Sequence, residues 1–194
     1  MEYYARFERR DGHLFRFDTR IYLESRVSQV ADTCIGAIVG KNPGSARPVD
    51  LGQLLPLELR GDKMLPTVGN LFAEGYARAE KRVPRNAFVR VWNLFYLCEA
   101  DLGKAVKAAK TIPALVNCPT EDDDVPILWF GWGGENPALD PYKERFLSLK
   151  SRHRFFYDWK RKRVTANAPG LRDFAKHTQG MPGDPIADYL SDVI

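Results

Sequence analysis

The 194-residue chain contains no run of 18 apolar residues, so no transmembrane helix is expected. Its first residues, MEYYARFERRDG, lack the apolar core of a secretory signal. Cysteine is scarce: Cys34, Cys98 and Cys118 stand without CxxC or histidine-paired spacing. An odd count in apolar or mixed surroundings predicts reduced thiols in a cytoplasmic protein, and three cysteines cannot hold a four-cysteine iron–sulfur cluster. Internal repeats and low-complexity tracts are missing too. GKNPGSA is not the phosphate loop GxxxxGK[ST], and GxGxxG does not occur. His13, His153 and His177 lie far apart without HExxH or HxH partners, and lone histidines of this kind read as surface or satisfied residues. Ser25, Ser28 and Ser45 have no GxSxG context. The carboxylates of TEDDD have no second cluster, so neither a metal site nor a cofactor is expected.

What is present is ordinary for a globular protein: 44% apolar residues, 28% charged, 12% aromatic. A net charge of +4 and a pI of about 9.0 admit a polyanionic partner without demanding one. The charge is uneven. Residues 150–163, KSRHRFFYDWKRKR, carry seven Lys or Arg against one Asp. Such a run is either a phosphate-contacting face or a solvated one.

Alternation around Asp11-Gly12 predicts a hairpin over about residues 1–24. TCIGAIVG, NAFVRVWNLFYLC and VPILWFGWG are short apolar runs rich in β-branched and aromatic residues, the composition of interior strands. Helical spacing marks DKMLPTVGNLFAEGYARAEKR, ADLGKAVKAAKTIPAL, PYKERFLSLKSRH and a short tail helix around Ile186 to Val193. Arg47 to Leu59 reads as a loop, and RFFYDWKRKRVTANAPG as a strand pair or a strand and loop. Alternating strands and helices predict an α/β sheet parallel at its centre. No linker divides the chain, so residues 1–194 are expected to form one domain.

In open α/β sheets, ligands bind beyond the carboxyl ends of the strands. Three segments here end in glycine-containing stretches, two of them with asparagine: Gly40-Lys41-Asn42-Pro43-Gly44, Gly131-Trp132-Gly133-Gly134 and Thr165-Ala166-Asn167-Ala168-Pro169-Gly170. Glycine lets backbone N–H groups approach a ligand, and asparagine offers a donor and an acceptor without charge. Asn42 is thus a candidate for orienting a water molecule. It is equally suited to bracing an Asn-Pro-Gly turn or capping a helix.

Gly40-Lys41-Asn42-Pro43-Gly44 resembles the first motif of the uracil-DNA glycosylase superfamily, nearest to its mismatch-specific branch, and Asn167-Ala168-Pro169-Gly170-Leu171-Arg172 resembles that branch's second motif. ILWFGWGG is similar to the superfamily's penultimate strand, and VWNLFYLC sits where it has a strand bearing an asparagine. More diffusely, the chain resembles an uncharacterised bacterial and phage family with an Asn-Pro-Ser motif. The resemblance implies a single three-layer α/β domain with a mainly parallel central sheet. It also implies a DNA glycosylase that hydrolyses the N-glycosidic bond of a modified, damaged or mismatched base, in repair or in defence against modified phage DNA.

Under that resemblance Asn42 and Asn167 are catalytic, with Asn42 orienting the attacking water. Gly40, Lys41, Pro43, Gly44 and Ser45 line the base pocket, and Asn93 reads the edge of a flipped base. Leu171 is the wedge that fills the vacated stack. Arg172, Lys160, Arg161 and Lys162 contact phosphates. DNA is the expected partner of a cytoplasmic monomer. The chain departs from the family in having no aromatic residue between Gly44 and Phe72, and it carries Lys41 and Ala168 at motif positions where the branch differs. Uracil itself is therefore not the favoured base. The competing readings are a non-catalytic nucleic-acid or nucleotide-binding domain on the same scaffold, and an enzyme acting on a free nucleoside or nucleotide.

Overall fold

Asp11 and Gly12 both take positive φ, 48° and 77°, which gives a two-residue turn whose twist matches its flanking strands. That turn joins β1 (Glu2–Arg10) to β2 (His13–Tyr22), paired from Arg10↔His13 to Glu2↔Tyr22. A computed structural model describes residues 1–43, 50–112 and 117–194. The remaining strands are β3 (Thr33–Gly40), β4 (Leu54–Pro56), β5 (Ala87–Asn93), β6 (Val125–Phe130), β7 (Ser151–Asp158) and β8 (Arg163–Thr165). The helices are α1 (Met64–Arg78), α2 (Leu102–Thr111), α3 (Asp140–Leu147) and α4 (Asp184–Val193).

Among the described residues, all eight strands form one sheet in the order β4-β1-β2-β5-β3-β6-β7-β8. The interior four, β5-β3-β6-β7, run parallel, and the pairings outside them are antiparallel. The expected mainly parallel sheet is thus corrected to a parallel centre with antiparallel flanks. The N-terminal hairpin supplies one flank instead of standing apart, and the β7–β8 hairpin supplies the other. Leu54–Pro56, inside a segment read as loop, adds a short edge strand against β1. The end of the third predicted helix, Ser151 to His153, belongs instead to β7.

Apart from Arg90 and Asn93 on β5 and the first half of β7, the interior strands are mostly apolar because both faces are covered. On one face Ile35, Ile38, Val89, Val91 and Ile127 pack with Leu65, Val68 and Phe72 of α1 and Ile186 and Leu190 of α4. On the other, Ala37, Val39, Trp92, Leu128 and Phe130 pack with Ala105 of α2 and Tyr142 and Phe146 of α3. Burying a side chain such as Phe72, fully enclosed here, contributes about 1.5–3 kcal/mol. Gly36 sets how closely α1 approaches the sheet, because a Cβ there would lie 3.0 Å from the Phe72 ring and 3.1 Å from the Ile127 carbonyl oxygen.

Candidate functional site

The parallel strands deliver their carboxyl ends to one edge, where Gly40 lies opposite Asn93 in the β3–β5 ladder. Asn93 alternates with Val91, so its side chain lies on the face that α1 covers, while Trp92 and Leu94 face the other core. It is 1% exposed, yet neither its Nδ2 nor its Oδ1 has a hydrogen-bond partner. A Cβ on Gly40 would sit 3.1 Å from Asn93 Oδ1 and 3.5 Å from Met64 Sδ. Glycine at 40 therefore lets that amide and Met64 pack close against the strand end. Leaving a buried polar group unmatched costs about 1–3 kcal/mol. Such a group persists where something other than folding holds it.

On the neighbouring strand β2, Arg16 faces the same way, opposite Phe15 and Phe17, and so does Thr19, which alternates with Ile21 after a register irregularity at Asp18 (φ 45°). Arg16 is 1% exposed, and its Nε and Nη1 have no partner; the Thr19 hydroxyl has none either. Burial pushes the Arg16 pKa down, against the pull of Asp62 and Cys98. Arg16, Thr19 and Asn93 hold five of the nine unpartnered buried polar side-chain atoms among the described residues. The other four are scattered singly over Arg90, Trp129, Trp132 and Thr165.

Arg16, though neither Thr19 nor Asn93, lines a cavity of about 720 Å³, the size of a small-ligand site, and Met64, which packs beside Asn93, lines it too. Its walls come from four parts of the chain: Arg16 on β2, Asn42 and Pro43 after β3, Asp62 to Met64 at the start of α1, and His177 to Met181 ahead of α4. Asn42 donates from Nδ2 to the Glu99 carbonyl oxygen at 2.5 Å. No described residue donates to its Oδ1. The Asp62 carboxylate accepts from the N–H groups of Met64 and Leu65 at 2.8 and 3.2 Å, closing the first turn of α1.

His177 and Lys41 complete the site's electrostatics. His177 Nδ1 accepts from the Gln179 N–H at 3.3 Å, which places the proton of the neutral ring on Nε2. Burial, then Lys41 and Lys176, push its pKa below the ordinary histidine value, with Asp62 opposing. The imidazole is thus held neutral, with Nε2–H as a donor. Lys41 is half-buried, its pKa lowered by burial and by Lys143, and no described carboxylate comes within ion-pair distance. It lies beside Gly133, whose Cβ would be 3.4 Å from Lys41 Nζ.

The structure brings Gly40, Lys41, Asn42, Pro43 and Asn93 to one part of the edge; Gly44 and Ser45 lie outside the described residues. Asn167 is exposed in the loop after β8 and does not line the cavity. Its loop is fastened on the α3 side, where Lys143 Nζ donates to the Leu171 carbonyl oxygen at 3.0 Å and Arg172 pairs with Asp140 at 3.1 Å. Leu171 itself is half-buried. Two of the seven cations of the basic run hold carboxylates, Lys160 with Glu135 at 2.5 Å and Arg161 with Asp158 at 3.0 Å, and Lys162 lies over the Trp159 ring at 3.0 Å. Sequence reasoning missed Arg16, Asp62 and His177. Only their distance in sequence hid them, since each is brought in by folding of the hairpin, the α1 cap or the tail.

No protein-family model matches this sequence, and comparison with curated proteins and with solved structures finds no significant match.

Proposed function

We propose that this protein hydrolyses the N-glycosidic bond of a modified, damaged or mismatched base in DNA. The observation that carries the reading is Asn93. A buried amide with donor and acceptor both free, beside a glycine at a strand end, suits the complementary edge of a nucleobase. In this reading Asn42 Oδ1 accepts a hydrogen bond from a water and aims its lone pair at the sugar's anomeric carbon. As the carbon–nitrogen bond breaks, its electron pair leaves with the base, and His177 Nε2–H stabilises the charge developing there. The water oxygen bonds to the sugar, and the water's proton is passed to solvent or to the departing base. Neutral histidine suits this role because it donates without needing to be charged at neutral pH.

The test is incubation with duplexes bearing uracil, mismatched, alkylated or hypermodified bases, followed by alkaline cleavage of abasic sites. Strand breaks at one base class support the reading. A clean negative across the panel, with the bases retained, contradicts it.

A second reading, the same chemistry on a free nucleotide, is favoured by the internal pairing of Lys160, Arg161 and Arg172. Exposed pairs are worth only about 0–1 kcal/mol, so DNA phosphates can still compete for these cations. Replacing Lys160, Arg161 and Lys162 together by Ala decides between the two. A polymer substrate predicts weaker DNA binding with a flatter salt slope. An unchanged slope with intact base release points to the free nucleotide.

A further inference from the structure

Among the described residues the two other buried cations each hold a carboxylate: Arg90 pairs with Asp123 and Lys143 with Asp140. Arg16 does not. Its guanidinium is as deeply buried, lines the cavity, and has no ion-pair or hydrogen-bond partner at Nε or Nη1. The carboxylate facing the same cavity, Asp62, is engaged by the α1 N–H groups and lies beyond ion-pair distance. Arginine does not shed its proton in proteins, so the charge cannot be removed by titration. Asp62 offsets the charge only at a distance; a buried charge without an ion-pair partner weakens a fold, and an external anion is what relieves it.

We propose that Arg16 holds a phosphate group of the ligand, so that the cavity binds a nucleotide through its phosphate as well as through its base. The guanidinium fork matches two phosphate oxygens at once, giving a charge-assisted pair of bonds. Lys41, half-buried and without a described carboxylate partner, adds positive charge at the same strand ends. The cavity's size suits a mononucleotide better than an isolated inorganic anion. The choice of phosphate over another anion rests on the base-binding reading, because a nucleobase in its natural ligands travels with a sugar phosphate. The anion site itself needs no glycosidic chemistry.

The test titrates wild type, Arg16→Met and Arg16→Lys with inorganic phosphate at fixed ionic strength, with chloride as the control, following thermal unfolding and calorimetric binding. Wild type should be stabilised by phosphate and not by chloride. Arg16→Met should lose that response while its ligand-free unfolding temperature stays level or rises, because an unpaired buried charge has gone. Arg16→Lys, which keeps charge but not the fork, should bind phosphate about 10-fold more weakly, the scale of one lost charge-assisted bond.

Deoxyuridine, deoxyuridine 5′-monophosphate and a short single-stranded oligonucleotide then locate the source. Tighter binding of the monophosphate than of the nucleoside assigns a monoester, and tighter binding of the oligonucleotide than of either assigns a diester. The proposal is overturned if wild type shows no phosphate-specific response, or if Arg16→Met keeps it. A lower unfolding temperature in Arg16→Met with the response intact makes Arg16 a structural residue. Base release without a phosphate response sinks this inference alone, while phosphate binding without base release sinks only the glycosidic reading.

Discussion

The carboxyl edge of the sheet is built in two different ways. On the α3 side, polar groups are tied to one another: Glu121 accepts from Tyr96 and Arg145, Arg145 also donates to the Asn93 carbonyl oxygen at 3.0 Å, and Asp140 takes both Lys143 and Arg172. On the α1 side, Arg16, Thr19 and Asn93 are as deeply enclosed and hold unpartnered atoms. Matched groups fasten loops. Unmatched ones beside a cavity are kept at some cost to stability, and a ligand is the natural recipient of their bonds.

Breaking the matched side should have the largest effect on the fold. Glu121→Ala leaves Arg145 without its carboxylate and Tyr96 without its acceptor in a buried setting, where removing one partner of such a pair costs about 3–5 kcal/mol. Urea unfolding should show that loss, and activity per folded molecule should be little changed. A loss under about 1 kcal/mol would mean the network is not what secures the edge.

On the unmatched side the expectation reverses. Asn42→Ala should fold, since its one side-chain bond to Glu99 is half-exposed, but base release should fall by about 10²-fold. Asn42→Asp offers a carboxylate as general base and should retain more activity, rising towards higher pH. Equal activity per folded molecule in Asn42→Ala, with a drop in stability, would make Asn42 a turn residue.

Much of the scaffold could be read from the residues. β3 and β6 are apolar on both faces, β5 is so apart from Arg90 and Asn93, and Asp11-Gly12 marks its hairpin, where both residues take positive φ. The two hairpins could be read as strand pairs, but nothing in their alternation says that they flank the central sheet. Leu54–Pro56 is a strand only because β1 offers it an edge. At the site, Gly40 and Asn42 were visible as strand-end residues, and Asn93 only through the family resemblance. Arg16 read as the polar face of a hairpin until α1 and the tail covered it. His177 read as a lone surface histidine because burial and its Gln179 contact depend on the tail folding back. The pairing of Lys160 was hidden because Glu135 comes from another segment, as was that of Arg172 with Asp140.

A smaller effect separates the two sides by pH. The folded-state pKa of His177 lies below its ordinary value, so the unfolded chain takes up that proton first. Stability should therefore fall as pH drops from about 7.5 through the ordinary histidine range near 6.5. His177→Asn should shrink the difference in unfolding free energy between about pH 7.5 and about pH 5.5. An undiminished difference would place His177 in a solvated setting.

The most direct test of the contrast is the unfolding free energy of Asn93→Leu, a substitution close in size that removes both unmatched amide atoms. If the amide is kept for a ligand, urea unfolding at neutral pH should show stability unchanged or raised by about 1–2 kcal/mol, since replacing an unsatisfied buried polar group by an apolar one removes a penalty. Base release by the same variant should fall at least about 10-fold. A loss of stability of about 2 kcal/mol or more, with base release per folded molecule intact, would show that Asn93 serves the fold and would contradict a ligand site on the α1 side.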